Sequence, residues 1–283
     1  MYANKGIRGF IVVTMRMISR TLLCGFALTS LLLGSVAAHA QRPAQGPISR
    51  DVIQPEKLGY RMVWEDEFNG TKLDTTKWRH RGLGARALAF VSEDAVEVKD
   101  GYIYLWAKRD AAGRMLGSAI GTQQTFMSRY GYYECRAQVQ KSWGQWGAFW
   151  LQSTQISAGE DPAVYGAEID VMECFRKLGP DIISHNVHWA YGPNQKSTRG
   201  MQSTLKGLGT GFHTYGVEWT PEKYTFYVDG MKFYEVTQGI SKIKEYMILS
   251  MEYPGNPQDM VRSILPDAMV VDYVRVWQKP GVN

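Results

Sequence analysis

The sequence has 283 residues, 45% hydrophobic and 21% charged, with 32 Lys+Arg against 27 Asp+Glu and a formal charge of +5. Lys5, Arg8, Arg16 and Arg20 precede an apolar run, Thr21 to Ala37, and an Ala38-His39-Ala40 cleavage signature, so residues 1–40 read as a secretory signal peptide. Without that segment, 28 basic residues face 27 acidic ones, which removes the charge argument for nucleic acid, and no basic stop-transfer flank argues for a retained membrane anchor.

The remaining ~243 residues suffice for one large core. Only Cys135 and Cys174 survive processing, too few for a disulfide framework, and two separate buried thiols are expected rather than a bridge. The reading is a free, monomeric protein, secreted or periplasmic. Residues 41–57 are polar, carry three prolines and read as a tail or linker, and the folded domain is expected over 58–283.

From there the chain is a succession of short strands and turns. Tyr60 to Trp64, Ala95 to Val98 and Tyr102 to Ala107 are β-rich, with Lys99-Asp100-Gly101 turning between the last two. Tyr132 to Val139, Gly147 to Leu151, Ile183 to Trp189 and His213 to Trp219 follow. Tyr224 to Val228 and Met231 to Val236 flank Asp229-Gly230, a hairpin turn suited to type I′. Tyr246 to Glu252 and Met269 to Trp277 end the domain, and one short helix is expected around Ser241 to Glu245. The pattern is all-β, a sandwich of two antiparallel sheets. Two long linkers, Ser153 to Ala167 and Tyr191 to Gly211, are expected at one rim of a sheet, where loops of this length are usually functional.

Between those linkers lies Glu168-Ile169-Asp170-Val171-Met172-Glu173. Strand alternation puts Glu168 and Asp170 on one face and Ile169 and Val171 on the other. Glu173 is out of phase unless a bulge near Met172 absorbs one residue, and bulges are over-represented beside active sites. A row of carboxyls suits hydrolysis of a glycosidic bond, in which one carboxylate attacks the anomeric carbon and a protonated partner supplies the leaving oxygen. The α-carbons of Glu168 and Glu173 start roughly 13 Å apart. Retention needs the carboxyls at about 5–5.5 Å, so a concave sheet has to bring the side chains together. The charge of Asp170 would help keep one glutamate protonated.

Glu168-Ile-Asp-Val-Met-Glu173 resembles the bulged signature of family 16 glycoside hydrolases. So do Trp64-Glu65-Asp66-Glu67-Phe68, Tyr130-Gly-Tyr-Tyr-Glu-Cys-Arg136, Trp146-Gly-Ala-Phe-Trp-Leu151, Glu218-Trp219-Thr220-Pro221, Phe226-Tyr-Val-Asp-Gly230 and Asp272-Tyr-Val-Arg-Val-Trp277, in that order along the chain. The resemblance implies a concave jelly roll and endo-acting, retaining cleavage of a polysaccharide. It makes Glu168 the nucleophile, Glu173 the acid/base and Asp170 the residue that positions and tunes them.

For substrate contacts, alternation puts Trp146 and Trp150 on one face with Ala148 between them, a platform on which the apolar face of a sugar can lie. The resemblance places His188 and Trp189 on the neighbouring strand. His185 and His188, three apart on a strand, point to opposite faces, so no zinc pair is expected. Glu134 and Arg136 share a face as either an ion pair or cleft residues. No cofactor is expected, although the resemblance offers a structural calcium through Glu67 and Asp272.

The leading substrate is a β-1,3- or mixed-linked β-1,3-1,4-glucan. The alternative is a red-algal galactan such as agar, porphyran or carrageenan, since the Tyr-Gly-Tyr-Tyr-Glu wording also occurs in relatives that cut them. Gly147, Ala167 and Cys174 depart from the common glucanase pattern. A sulfated galactan would call on cations, with Arg129 the expected contact and Arg86, Lys196 and Arg199 also available. The rival from another class is a non-catalytic carbohydrate-binding sandwich, which loss of either glutamate would favour; both are present.

Overall fold

The computed structural model describes residues 43–281; the signal segment expected at 1–40 lies outside them. Every long strand belongs to one of two antiparallel sheets. The first runs Arg79–His80, Met115–Gly121, Tyr246–Glu252, Trp146–Gln152, Glu168–Phe175, Ile182–Trp189 and Met201–Thr204. The second runs Val96–Lys99, Tyr102–Arg109, Asp267–Gln278, Gly131–Gln138, His213–Trp219, Tyr224–Val228 and Met231–Val236. Arg61–Asp66 joins the second sheet on the C-terminal half of Asp267–Gln278.

The core lies between the sheets and follows period-2 alternation. Ile103, Leu105 and Ala107 point inward from one strand, Tyr133, Cys135 and Ala137 from another, and Phe149 and Leu151 meet them from the first sheet. Fully burying side chains of this size contributes about 1.5–3 kcal/mol each. A strand that slipped by one residue would forfeit that gain along its whole length. Both cysteines are buried as free thiols, as expected.

The anticipated hairpin is present: Asp229 and Gly230 have φ of 50° and 70°, the paired positive values of a type I′ turn. Asp100 and Gly101, at 55° and 79°, make the same turn between Val96–Lys99 and Tyr102–Arg109. The helix expected at Ser241 to Glu245 is absent, and the short helices occupy Pro162–Tyr165 and Pro257–Val261 instead. Asp161 and Asn256 cap them through side chains that accept from Ala163 N–H and Gln258 N–H, and each is followed by proline at the first helical position. Those signals, rather than apolar periodicity, set the location.

The described part of the stretch read as a tail lies along the domain. Gln45 exchanges backbone hydrogen bonds with Gln202 and Thr204, each at 2.8 Å, and Ile48 and Ile53 bond Lys232 and Gly230. It thereby covers the open edges of both sheets, which would otherwise present unpaired backbone groups.

Candidate active site

The acidic strand Glu168–Phe175 is central in the first sheet. Against Trp146–Gln152 its register shifts between Asp170 and Met172, and against Ile182–Trp189 it shifts between Asp170 and Glu173, so the extra residue falls at Val171–Met172. Val171 and Met172 both join the core, as do Ile169 and Cys174, while Glu168, Asp170 and Glu173 line one cleft. Without the bulge, Glu173 would enter the core in place of Met172. Burying a carboxyl there without a partner costs several kcal/mol, beyond the loss of burying methionine.

His185 holds the bulge from behind. Its Nδ1 donates to the Val171 carbonyl at 2.6 Å and its Nε2 accepts from Ser203 Oγ at 2.7 Å. Complete burial pushes its pKa down to about 4, so the ring is neutral with one donor and one acceptor, which is what this pair of bonds requires. His185 and His188 do point to opposite faces.

In the cleft, Glu168 is half-buried and its Oε2 accepts from Gln152 Nε2 at 2.6 Å. Asp170 and Glu173 are 5% and 7% exposed. His188 Nε2 lies 3.4 Å from Asp170 Oδ2. Glu168, Asp170 and His188 each offer a polar atom within 4.8 Å of the others. Burial drives the Asp170 carboxyl well above its ordinary value, and the charge of Glu168 adds to it. Burial does the same to Glu173, reinforced by Asp170 and partly offset by His188. The Tyr191 hydroxyl, beside Glu168, is likewise pushed upward, first by burial and then by that carboxylate.

Trp146 and Trp150 line the cleft with Ala148 between them, and Phe149 and Leu151 lie beneath in the core. Trp146 packs on Phe175 at 5.2 Å. Trp150 Nε1 donates to Ser250 Oγ at 3.1 Å, while the Arg81 guanidinium sits 5.1 Å from its ring centre. Arg81 Nη2 donates to Gln152 Oε1 at 2.9 Å and to the Tyr246 hydroxyl at 3.2 Å, so a chain of bonds runs from Arg81 through Gln152 to Glu168. Farther along, Arg86 Nε is 2.5 Å from Glu252 Oε2.

Two expected contacts fall elsewhere. Trp189 packs against the core, close to Gly239, because it is one residue from His188 and alternation turns it to the other face. Arg129 lies over Tyr130 in a separate hollow lined by Tyr60, Trp219 and Lys279. Lys196 is 4.0 Å from Glu160. Glu134 and Arg136 do not pair with each other: Glu134 accepts from the hydroxyls of Tyr132 and Tyr273, and Arg136 bonds Asp272. Glu67 receives both Nε and Nη2 of Arg275. The two acids offered for calcium are thus each committed to a different arginine, an arrangement that does not fit an oxygen-ligated cation.

Gln152, Tyr191, Arg81 and Glu252 line the cleft without having been singled out from the sequence. Alternation from Trp146 and Trp150 reaches Gln152 directly. Arg81 and Tyr191 lie in loops whose course no periodicity gives.

Comparison with known proteins agrees with this geometry. The Beta-porphyranase A-D, GH16 domain family matches residues 63–279. The chain is 28% identical over 80% of its length to glucan endo-1,3-beta-glucosidase A1 of Niallia circulans, of which it spans 39%. It is 28% identical over 91% of its length to the kappa-carrageenase of Pseudoalteromonas carrageenovora, spanning 72% of that protein. The structure of SCLam, a non-specific endo-beta-1,3(4)-glucanase from family GH16, superposes with a TM-score of 0.67 at 26% identity, over 85% of this chain and 97% of that one. A jelly-roll sandwich with a bulged acidic strand across its cleft, matched over most of its length, places this chain in glycoside hydrolase family 16.

Proposed function

We propose that the domain is an endo-acting, retaining hydrolase of a β-linked polysaccharide. The observation that carries this is the bulge, which gathers Glu168, Asp170 and Glu173 on one cleft face with unequal burial. Glu168, open to the cleft and bonded by Gln152, serves as the ionised nucleophile. It attacks the anomeric carbon as the glycosidic C–O bond breaks, and Glu173 gives its proton to the departing oxygen. Water then attacks the glycosyl ester, Glu173 takes up the proton, and Glu168 is released as carboxylate. Asp170, between the two glutamates, is itself pushed upward by burial and by the charge of Glu168, and its own charge raises Glu173 in turn.

For the substrate we favour a sulfated galactan of the kind named by the matching family. The support from this chain is the Arg81 guanidinium on the cleft, bonded to Gln152 and the Tyr246 hydroxyl; Arg86, also on the cleft, is already paired with Glu252. A planar guanidinium suits a sulfate ester better than a neutral glucan requires. The β-glucan reading is supported by the glucanase relatives and by the tryptophan platform. Product analysis on porphyran, agarose, carrageenan, laminarin and lichenan decides between them. Oligosaccharides are expected from porphyran, and release from laminarin or lichenan alone would overturn the galactan reading while leaving the mechanism intact. With a sulfated substrate, Arg81→Ala is expected to raise KM about tenfold to a hundredfold, the loss of one charge-assisted hydrogen bond, with a smaller effect on a neutral chain.

The site of action we propose is outside the cytoplasm, where polymers of this size occur. The leader pattern at 1–40 supports it, and among the described residues no helix is long and apolar enough to cross a membrane. Amino-terminal sequencing of the exported protein should begin at Gln41.

A further inference from the structure

Glu245 is an acid that the hydrolytic chemistry does not use, and it stands directly behind the acidic strand. It is 1% exposed, its Oε1 accepts the backbone N–H of Ala167 at 2.8 Å, and its Oε2 has no hydrogen-bond partner. Ala167 is the residue before Glu168, and its carbonyl is taken by Ser153 N–H at 3.0 Å. Both backbone groups of Ala167 are therefore bonded by these two residues at the point where the acidic strand begins. Gly166 completes the clamp: at φ 78°, a Cβ there would stand 2.2 Å from Ser153 Cβ and 3.1 Å from Glu245 Oε1. Glu245 is itself anchored, since its backbone exchanges two hydrogen bonds with Ser128, at 3.0 and 3.1 Å, and Ser128 Oγ meets the Tyr133 hydroxyl at 2.8 Å.

We propose that Glu245 is a positioning residue for the reaction, its Oε1 holding the Ala167 N–H and thereby fixing the place of Glu168 on the cleft floor. This rests on the reading of Glu168 as nucleophile. A buried acid with one bare oxygen is costly, and an apolar residue would fill the same space more cheaply. What the acid supplies is an acceptor for the Ala167 N–H, at the point where the acidic strand begins. A displacement of Glu168 by about 1 Å is enough to cost on the order of a hundredfold in rate.

The groups facing Glu245 are Glu168, the Ser241 hydroxyl, and the hydroxyls of Tyr133 and Tyr224. Burial pushes its pKa up to about 8, partly offset by the nearby Ser241 hydroxyl and by the Ala167 N–H. The carboxyl is consequently neutral in the working range and accepts through its carbonyl oxygen, which glutamine reproduces. Between the ordinary glutamate value of 4.5 and about 8, the native state keeps a proton that the unfolded chain has lost. Native stability therefore falls as pH rises through that window, and this slope should vanish in Glu245→Gln.

The test compares wild type, Glu245→Gln and Glu245→Asp on whichever of porphyran and laminarin the wild type cleaves. Glu245→Leu serves as a second variant lacking the acceptor, and circular dichroism reports the fold. Glu245→Gln is expected to keep kcat within about twofold and to gain melting temperature over wild type progressively from pH 5 to pH 8. Glu245→Asp, a methylene too short, and Glu245→Leu are expected to lose about tenfold to a hundredfold in kcat with KM within about threefold. If a folded Asp or Leu variant turns over like wild type, or if the Gln variant falls as far as they do, the positioning role is wrong. An active Glu168→Gln variant is a separate outcome that would sink the nucleophile reading itself.

Discussion

Glu168→Gln is expected to reduce kcat by about 10⁴-fold or more, while the folded protein still binds its polysaccharide. The amide is isosteric and keeps a partner in Gln152, whose Nε2 donates to Oε2 at 2.6 Å, so cleft shape is preserved. What is lost is the negative charge that forms the bond to the anomeric carbon, and removal of a nucleophile costs several orders of magnitude. Affinity electrophoresis in a gel cast with the polymer should show retardation close to wild type, and a reducing-sugar assay should show none of its activity. A Glu168→Gln variant with wild-type turnover would refute the double displacement.

Glu173→Gln should lose about 10²–10⁴-fold on the natural polymer, the usual contribution of a general acid. The loss should be much smaller for an aryl glycoside of the same sugar whose leaving group needs no proton. The pH profile supplies the sharper readout. Burial and Asp170 both push the Glu173 carboxyl well above the ordinary range, so in wild type activity falls on the alkaline side as its proton is lost. In the glutamine variant the alkaline fall should disappear from the residual rate. An alkaline limb unchanged in Glu173→Gln would mean that another group supplies the proton. The same raised pKa has a cost in stability. Above the ordinary glutamate range the native state holds a proton that the unfolded chain releases, so Glu173 weakens the fold as pH rises toward its own pKa.

Several features of the site were fixed by local rules acting on the sequence. Period-2 alternation put Trp146, Ala148 and Trp150 on one face and Phe149 and Leu151 on the other, because a strand has no other way to place them. The odd spacing from Glu168 to Glu173 demanded a bulge, since the alternative buries a carboxyl in place of a methionine. Asp-Gly at 229–230 selected its turn through the positive φ that both residues tolerate. The same alternation, applied one residue further, already turns Trp189 away from the face of His188 and adds Gln152 to that of Trp150.

Other features arise only when distant segments meet. Arg81 and Gln152 are 71 positions apart, and nothing in either neighbourhood announces that the guanidinium will lie over Trp150 and bond the residue that holds Glu168. Arg129, as basic as Arg81, falls in another hollow, beside Tyr60, Trp219 and Lys279. Glu67 and Asp272 could serve calcium only until Arg275 and Arg136 are brought beside them. The sequence by itself determined which residues share a face, since that depends on the geometry of one strand. Tertiary structure decided which carboxyls keep their protons, because burial and the charges of other strands set that balance. It also decided that His185 would hold the bulge and Glu245 the entrance of the strand, through hydrogen bonds that no local pattern encodes.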